Sequence, residues 1–434
     1  GRLRFGGSAK IKHKKRDNIF YEYEPIEDFP SLANMETVNW DGKGWFGDGR
    51  YTPGIFVDKK VLGNFDLLNP NLFEESVVPE EFLMANYKAN ENIYSGYLRW
   101  DQNINEDLSM IVGVRVENTQ INYEANVILD EEELVGTRTV KNSYTNILPH
   151  YSLKYDITKN LVTRFAFTTS IARPNYYALS PFVNIESEGN NVISGNPNLK
   201  AAYSYNVDGI IEYYFKSIGL VSGGLFYKNI NNFIYSYKDL SYDRDKFSVD
   251  FPELNNTLVE GETYSFEQKR NGDKVDLFGF EVAFQRQFDF IPGKFWQGLG
   301  LFVNYTFTKS IAKGIYNADG ELRESVALPG TAPHMVNTSL SWENKVFSFR
   351  TSLNFTSGYL DELGGSDFED RFYDKQLFLD INASAAVTPR IRIFAEAHNL
   401  TNQPLRYYQG VSTRMMQIEY YKPRFVLGVK FDLR

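Results

Sequence analysis

"FVLGVKFDLR" (residues 425–434) reads as two interleaved peptides. Phe425, Leu427, Val429, Phe431 and Leu433 are apolar, while Val426, Gly428, Lys430, Asp432 and Arg434 are small or charged. Successive side chains of a β-strand point to opposite faces, so a period of two sorts these residues onto two surfaces. One surface suits an apolar medium and the other a wet one.

The pattern recurs along the chain. "YSGYLRWD" sets Tyr94, Leu98 and Trp100 against Ser95, Tyr97, Arg99 and Asp101. "LSMIVGVRVE" sets Leu108, Met110, Val112, Val114 and Val116 against Ser109, Gly113, Arg115 and Glu117. "FSFRTSLNFT" and "LFLDINASA" alternate in the same way from Phe347 and Leu377. About fourteen such strands are predicted, many ~10 residues long, which is the length that crosses a bilayer when tilted. Ordinary globular strands average ~5–6 residues.

Composition narrows the class. The 434 residues carry a net charge of -9, which disfavours nucleic acid as a partner. No cysteine is present, so disulfides and thiolate metal sites are excluded. Aromatic residues make up 16 % of the chain, with 34 Phe and 29 Tyr. No apolar run approaches the ~18–20 residues of a membrane helix. Gly1 falls within a strand-like pattern, so a mature or truncated chain is expected. Abundant aromatics, a polar average and no spanning helix leave a soluble all-β protein or a transmembrane antiparallel β-barrel.

The connections decide between the two. Short turns are predicted near 103–107, 156–160, 215–219, 343–345 and 388–390. Long loops are predicted near 19–90, 128–145, 172–198, 235–274, 310–331, 358–374 and 407–414. Short and long alternate, which puts all the long loops at one end of an antiparallel sheet. Outer-membrane barrels are built this way, with the long loops extracellular. The apolar set of 425–433 is then expected to face lipid, and Lys430, Asp432 and Arg434 the lumen.

Several stretches resemble the TonB-dependent receptors of the outer membrane, in their Bacteroidota-like forms. They are "RDNIFYEYEP" (16–25), "ENIYSGYLRWDQNI" (91–104), "GVRVENT" (113–119), "SIARPNYYALSPF" (170–182), "GNPNLKAAYSYNVD" (195–208), "GGLFYKNINNFI" (223–234) and "NLTNQPLRYYQG" (399–410). The resemblance covers essentially the whole chain. It implies a 22-stranded barrel with a plug domain and energised uptake through the TonB complex. About fourteen strands and no plug are read here, so residues 1–434 are expected to be the C-terminal portion of the barrel. Missing N-terminal strands and a plug would be its partners, with outer-membrane lipid around it.

Candidate sites follow from the inward parity. Arg2, Arg4, Lys10, Lys12 and Lys14 form a basic stripe on the first strand. Arg99, Arg115, Lys154 and Arg164 continue it, and Asp208, Glu212, Glu281, Arg350, Asp380 and Glu396 follow on later strands. These are candidates for contact with plug or solute, with plug docking through salt bridges favoured. At the extracellular mouth, Trp45, Phe46, Tyr51, Tyr176, Tyr177 and Phe182 are aromatic candidates for solute contact, against girdle or loop packing. "DGKGWFGDGRYTPG" (41–54) fails the EF-hand spacing because Lys43 stands where a ligand should be, so no metal site is expected. The four histidines are scattered. No nucleophile elbow or phosphate loop is present, so no enzyme and no cofactor is expected.

The leading functional expectation, from the resemblance, is TonB-dependent uptake of a scarce nutrient: siderophore, oligosaccharide, peptide or vitamin. The alternatives are a non-transporting subunit of an envelope complex, with a surface lipoprotein or other subunits as partners, and a passive porin-type channel.

Overall fold

A backbone crossing hydrocarbon must satisfy its hydrogen bonds internally, and a sheet of long antiparallel strands does so across its ladders. The computed structural model describes all residues except 29–30, 32–33, 42–53, 188 and 433–434. Its wall contains β1 (Arg2–Arg16), β2 (Tyr87–Asn103), β3 (Leu108–Leu129), β4 (Glu133–Thr158), β5 (Leu161–Ala172), β6 (Ala202–Tyr214) and β7 (Gly219–Asn231). It continues with β8 (Lys274–Gln287), β9 (Leu299–Lys313), β10 (His334–Glu343), β11 (Phe347–Thr356), β12 (Gln376–Thr388), β13 (Ile391–His398) and β14 (Arg424–Phe431). Each strand pairs antiparallel with the next, in chain order and without a crossover. Among the described residues, β1 pairs only with β2 and β14 only with β13, so the wall has two free edges. No helix among them is long and apolar enough to cross a membrane.

The registers place every predicted lumen candidate on one face. Lys154 stands opposite both Ser109 and Arg164, Arg164 opposite Ile210, and Gly224 opposite both Ile210 and Glu281. Arg350 stands opposite Ser341 and Asn382, and Asn382 opposite Glu396. The other face carries Leu98 against Val114, Leu153 against Phe165, Trp342 against Phe349, and Leu353 against Leu379. Leu98, Val114, Phe165 and Phe349 are exposed there, within a broad apolar belt that also holds Leu225, Val282, Leu340 and Leu427. An exposed apolar surface of this extent suits a lipid-facing surface, since soluble monomers keep such patches small.

The belt has an edge that can be read from the strands. On β3 the apolar residues stand on the belt face as far as Val116, and then switch faces. Asn118, Gln120, Asn122 and Glu124 take the belt side, while Ile121, Tyr123, Ala125 and Val127 turn inward and are buried. The switch occurs along one row, with Asn118 opposite both Tyr94 and Thr145. Above that row the core lies inside. It includes a cluster of Val127, Val183, Ile185, Val192, Tyr242, Phe247, Phe251, Leu258, Tyr264 and Phe266.

The connections corrected two expectations. The segment 128–145 is not a long loop. β3 and β4 are 22 and 26 residues long and run together to a tight tip at 130–132, where Asp130 and Glu131 adopt positive φ of 50° and 59°. The pair therefore stands up from the rim as a hairpin. The last connection also runs beyond the expected 407–414: the last wall strand begins at Arg424, and Leu405–Gln409 and Met415–Glu419 form a separate hairpin above it. Otherwise the connections 17–86, 173–201, 232–273, 314–333, 357–375 and 399–423 share that rim. The opposite rim carries short turns and the connection 288–298, with a helical turn at Lys294–Gly298.

Candidate functional site

The connection between β5 and β6 crosses the mouth as a chord. Its strands Val183–Glu186 and Asn191–Ser194 pair with each other. One edge adds parallel to residues 127–129 of β3, the other parallel to residues 265–268, which lead into β8. A chord from the third wall strand to the approach of the eighth spans the concave side, which identifies the charged face as the interior. The motif "GNPNL" holds the chord in place. Asn196 Nδ2 donates to the Lys269 carbonyl at 2.9 Å, and its Oδ1 accepts from the Asn198 amide at 3.0 Å. A Cβ at Gly195 would collide with the Ser180 carbonyl, so glycine is required at that crossing.

Ahead of the chord, the helical turn Tyr176–Leu179 is capped by Asn175, whose Oδ1 accepts from the Ala178 amide at 2.7 Å. Ala178, Leu179 and Phe182 pack against Tyr87, Ala89, Ile121 and Tyr123 of the inner wall. This docking brings Tyr176 to Glu91, with a hydrogen bond of 3.1 Å, and Lys12 joins the same carboxylate at 2.8 Å. Arg173 reaches Glu117 at 2.5 Å, and Glu117 also holds Arg115 at 2.6 Å. Lys14 lies over the Tyr176 ring at 5.3 Å. Burial pushes the hydroxyls of Tyr176 and Tyr177 up, so both stay neutral donors.

These residues line a cavity of about 440 Å³ whose charged groups are Lys12, Lys14, Arg16, Arg173 and Glu91. Lys12 is paired with Glu91 and Arg173 with Glu117, which leaves Lys14 and Arg16 as the cations that favour an anion. A second cavity of about 620 Å³ adjoins it through Asn175 and Tyr177 and extends to Tyr237, Lys238, Glu267 and Gln268. There Arg270 stacks on Tyr237 at 3.7 Å, and Lys238 pairs with Glu267 at 2.8 Å.

The sequence candidates divide sharply. Tyr176 and Tyr177 line the first cavity, and Tyr177 and Phe182 the second; Phe182 is only 2 % exposed and stacks on Tyr177 at 4.9 Å. Trp45, Phe46 and Tyr51 lie outside the described residues, as does most of the glycine-rich stretch 41–54. The ten wall candidates share the inner face but do not converge on one site. Several are paired with carboxylates two residues ahead: Arg99 with Asp101, Arg115 with Glu117 and Lys154 with Asp156. Arg164 pairs with Glu212 across the ladder at 3.0 Å. Asp380 accepts from the Asn399 amide at 2.8 Å, and Glu396 lies 3.3 Å from His398. The basic stripe is thus largely neutralised on β2–β5 and remains unbalanced at the top of β1. The carboxylates two positions away were legible from the strand period; Arg173 was not, because only the fold of the chord brings it to the wall.

The sequence profile described as "TonB dependent receptor-like, beta-barrel" matches residues 5–400. The chain belongs to the TonB-dependent receptor β-barrels. Solved structures agree on the fold of this TonB-dependent receptor barrel. The ferric-catecholate import receptor Fiu from E. coli K12 shares 15 % identity at a TM-score of 0.55, covering 82 % of this chain and 46 % of that one. The ferric citrate transporter FecA shares 12 % at 0.55, over 84 % and 48 %. The copper transporter OprC shares 14 % at 0.54, over 79 % and 48 %. The chain therefore spans about half the length of these structures. No curated protein sequence matches the chain.

Proposed function

We propose that this barrel belongs to an outer-membrane importer that takes up an anionic solute, entering at the long-loop mouth, in a process driven through the TonB complex. In this reading the long-loop rim is extracellular. Further strands join the free edges of β1 and β14, and a plug domain meets the charged inner wall. The observation that carries the choice of solute is the cationic cavity under the chord, where Lys14 and Arg16 stand beside the Lys12–Glu91 pair and an Arg173 held by Glu117. Charge-assisted hydrogen bonds to an anion are about twice as strong as neutral ones, and the Tyr177 hydroxyl adds a neutral donor. Solved structures with this fold include proteins described as importing ferric catecholate and ferric citrate, which supports an anionic metal chelate as the class.

The test is uptake by cells expressing the full-length protein. The probes are ferric citrate, an anionic ferric catecholate and a neutral ferric hydroxamate. The double variant Lys14→Ala/Arg16→Ala removes two cations without touching the Glu91 or Glu117 bonds. At roughly 1.5–3 kcal/mol per charged hydrogen bond, it is expected to weaken binding of an accepted anionic chelate at least tenfold. Uptake of the neutral chelate alone, or of anionic chelates unchanged by the double variant, would overturn the assignment.

A further inference from the structure

Between β4 and β6 the wall parts at the long-loop rim. β4 is paired with β3 along its length, but its ladder to β5 begins only at His150 opposite Thr168. Pro149 stands at the parting. Its carbonyl accepts from Thr169 Oγ1 at 2.9 Å and so points toward β5. A strand residue aims its N–H and C=O to the same side, so proline presents no donor to β5 and the ladder ends there. Above it, Tyr203 donates to the Ile147 carbonyl at 2.5 Å across the gap.

The gap is a groove of about 960 Å³. Its lining holds six asparagines and three tyrosines, with Lys200 as the single charged residue. Tyr203 and Tyr205 stand opposite Asn231 and Asn229, on the same face as Val207 and the lipid belt. Asn142, Tyr144 and Asn146 stand on the inner parity of β4, opposite Ile121, Thr119 and Glu117, so the groove is a cleft through the parted wall at the row where the belt ends, and its lining shares no residue with the cationic cavity. Several amides in it are uncommitted. Asn146 Nδ2 is buried without a hydrogen-bond partner. Among the described residues, Asn198 and Asn232 make no side-chain hydrogen bond, and Asn142 uses only its oxygen. The Tyr203 and Tyr205 rings lie 5.0 Å apart, and Tyr205 is 44 % exposed.

Each amide offers two donors and an acceptor, which matches the vicinal hydroxyls of a sugar. The tyrosine faces suit its C–H surface. A single cation with no carboxylate gives little hold on a polyanion or on a metal. The volume stands at the upper end of the ~300–1,000 Å³ of small-molecule sites. We propose that this cleft binds a neutral oligosaccharide, either free or carried on a membrane glycolipid, at a site distinct from the cationic cavity.

Full-length protein in lipid nanodiscs provides the test. The free probes are gluco-, galacto- and mannohexaose, followed by calorimetry and saturation-transfer NMR. The lipid probe is digalactosyldiacylglycerol, followed as retained lipid by native mass spectrometry. Asn198→Ala removes a side chain that makes no internal bond, so folding is preserved; Tyr205→Ala removes the stacking face. Each is expected to weaken binding at least tenfold, whereas Gln120→Ala, outside the groove, leaves it unchanged. Binding of the hexaoses assigns the free source, and retention of the glycolipid alone assigns the membrane source. Failure of every probe to bind, or binding that Asn198→Ala leaves intact, overturns the proposal.

Discussion

Glu131, at the tip of the β3–β4 hairpin, is bonded to Glu186 of the chord. That hydrogen bond, with burial and the charge of Glu186 behind it, pushes the Glu131 carboxyl up to about 7. The tip is also fastened by the Asp130 amide to the Ile185 carbonyl at 2.6 Å and by the Ser187 amide to Asp130 at 2.7 Å. A raised carboxyl binds its proton more tightly in the folded chain than in the unfolded one. Its stabilisation is full below the ordinary carboxylate range and is lost as pH rises through about 7. Amide exchange at 127–132 and 183–187, corrected for intrinsic rates, is expected to be slower at pH 5 than at pH 8. Glu131→Gln should remove the difference, and a flat profile in the parent protein would refute the shared proton. A second residue-scale expectation concerns the two faces. Ile381 lies mid-strand on the belt face, so Ile381→Arg in a bilayer should cost ~2–4 kcal/mol. Ser352→Arg, opposite Asp380 on the inner face, should cost under ~1 kcal/mol. Denaturant unfolding of the full-length protein in liposomes compares them, and equal losses would contradict the facing.

At the scale of elements, the wall was legible because lipid on one side and water on the other write a period of two into the residues. The β3–β4 hairpin was not, because above the belt that code inverts. Ile121, Tyr123 and Ala125 bury inward against the chord while Asn118, Gln120 and Asn122 face out. The ladder continues through this switch, since backbone pairing does not depend on which face is wet. The cationic cavity was half legible: the β1 stripe could be read from its parity, but its meeting with Arg173 and Tyr176 depends on the chord, whose turns and caps carry no periodic signal. The rim core behind the chord should be an energetic unit of its own. Phe247 of the helix Arg244–Asp250 is fully buried there. Phe247→Ala is expected to cost ~3–5 kcal/mol locally. Limited proteolysis should then cut within 243–262 while the wall strands stay protected; loss of wall protection as well would show that rim and wall fold as one.

For the molecule as a whole, the described wall is a meander with free edges at β1 and β14 and an apolar outer face. In a bilayer each unpaired backbone group at such an edge costs several kcal/mol, so both edges are expected to be paired there. The two faces of the wall imply a sheet that separates lipid from a wet, charged interior. Leu379 and Asp380 are neighbours in sequence, with Leu353 and Ser352 as their respective partners across the ladder. Spin labels placed singly at Leu379 and Asp380 of the full-length receptor in a bilayer test this separation most directly. The label at 379 is expected to relax with oxygen and resist a polar nickel complex, and the label at 380 to do the reverse. Equal accessibility at the two positions would contradict it.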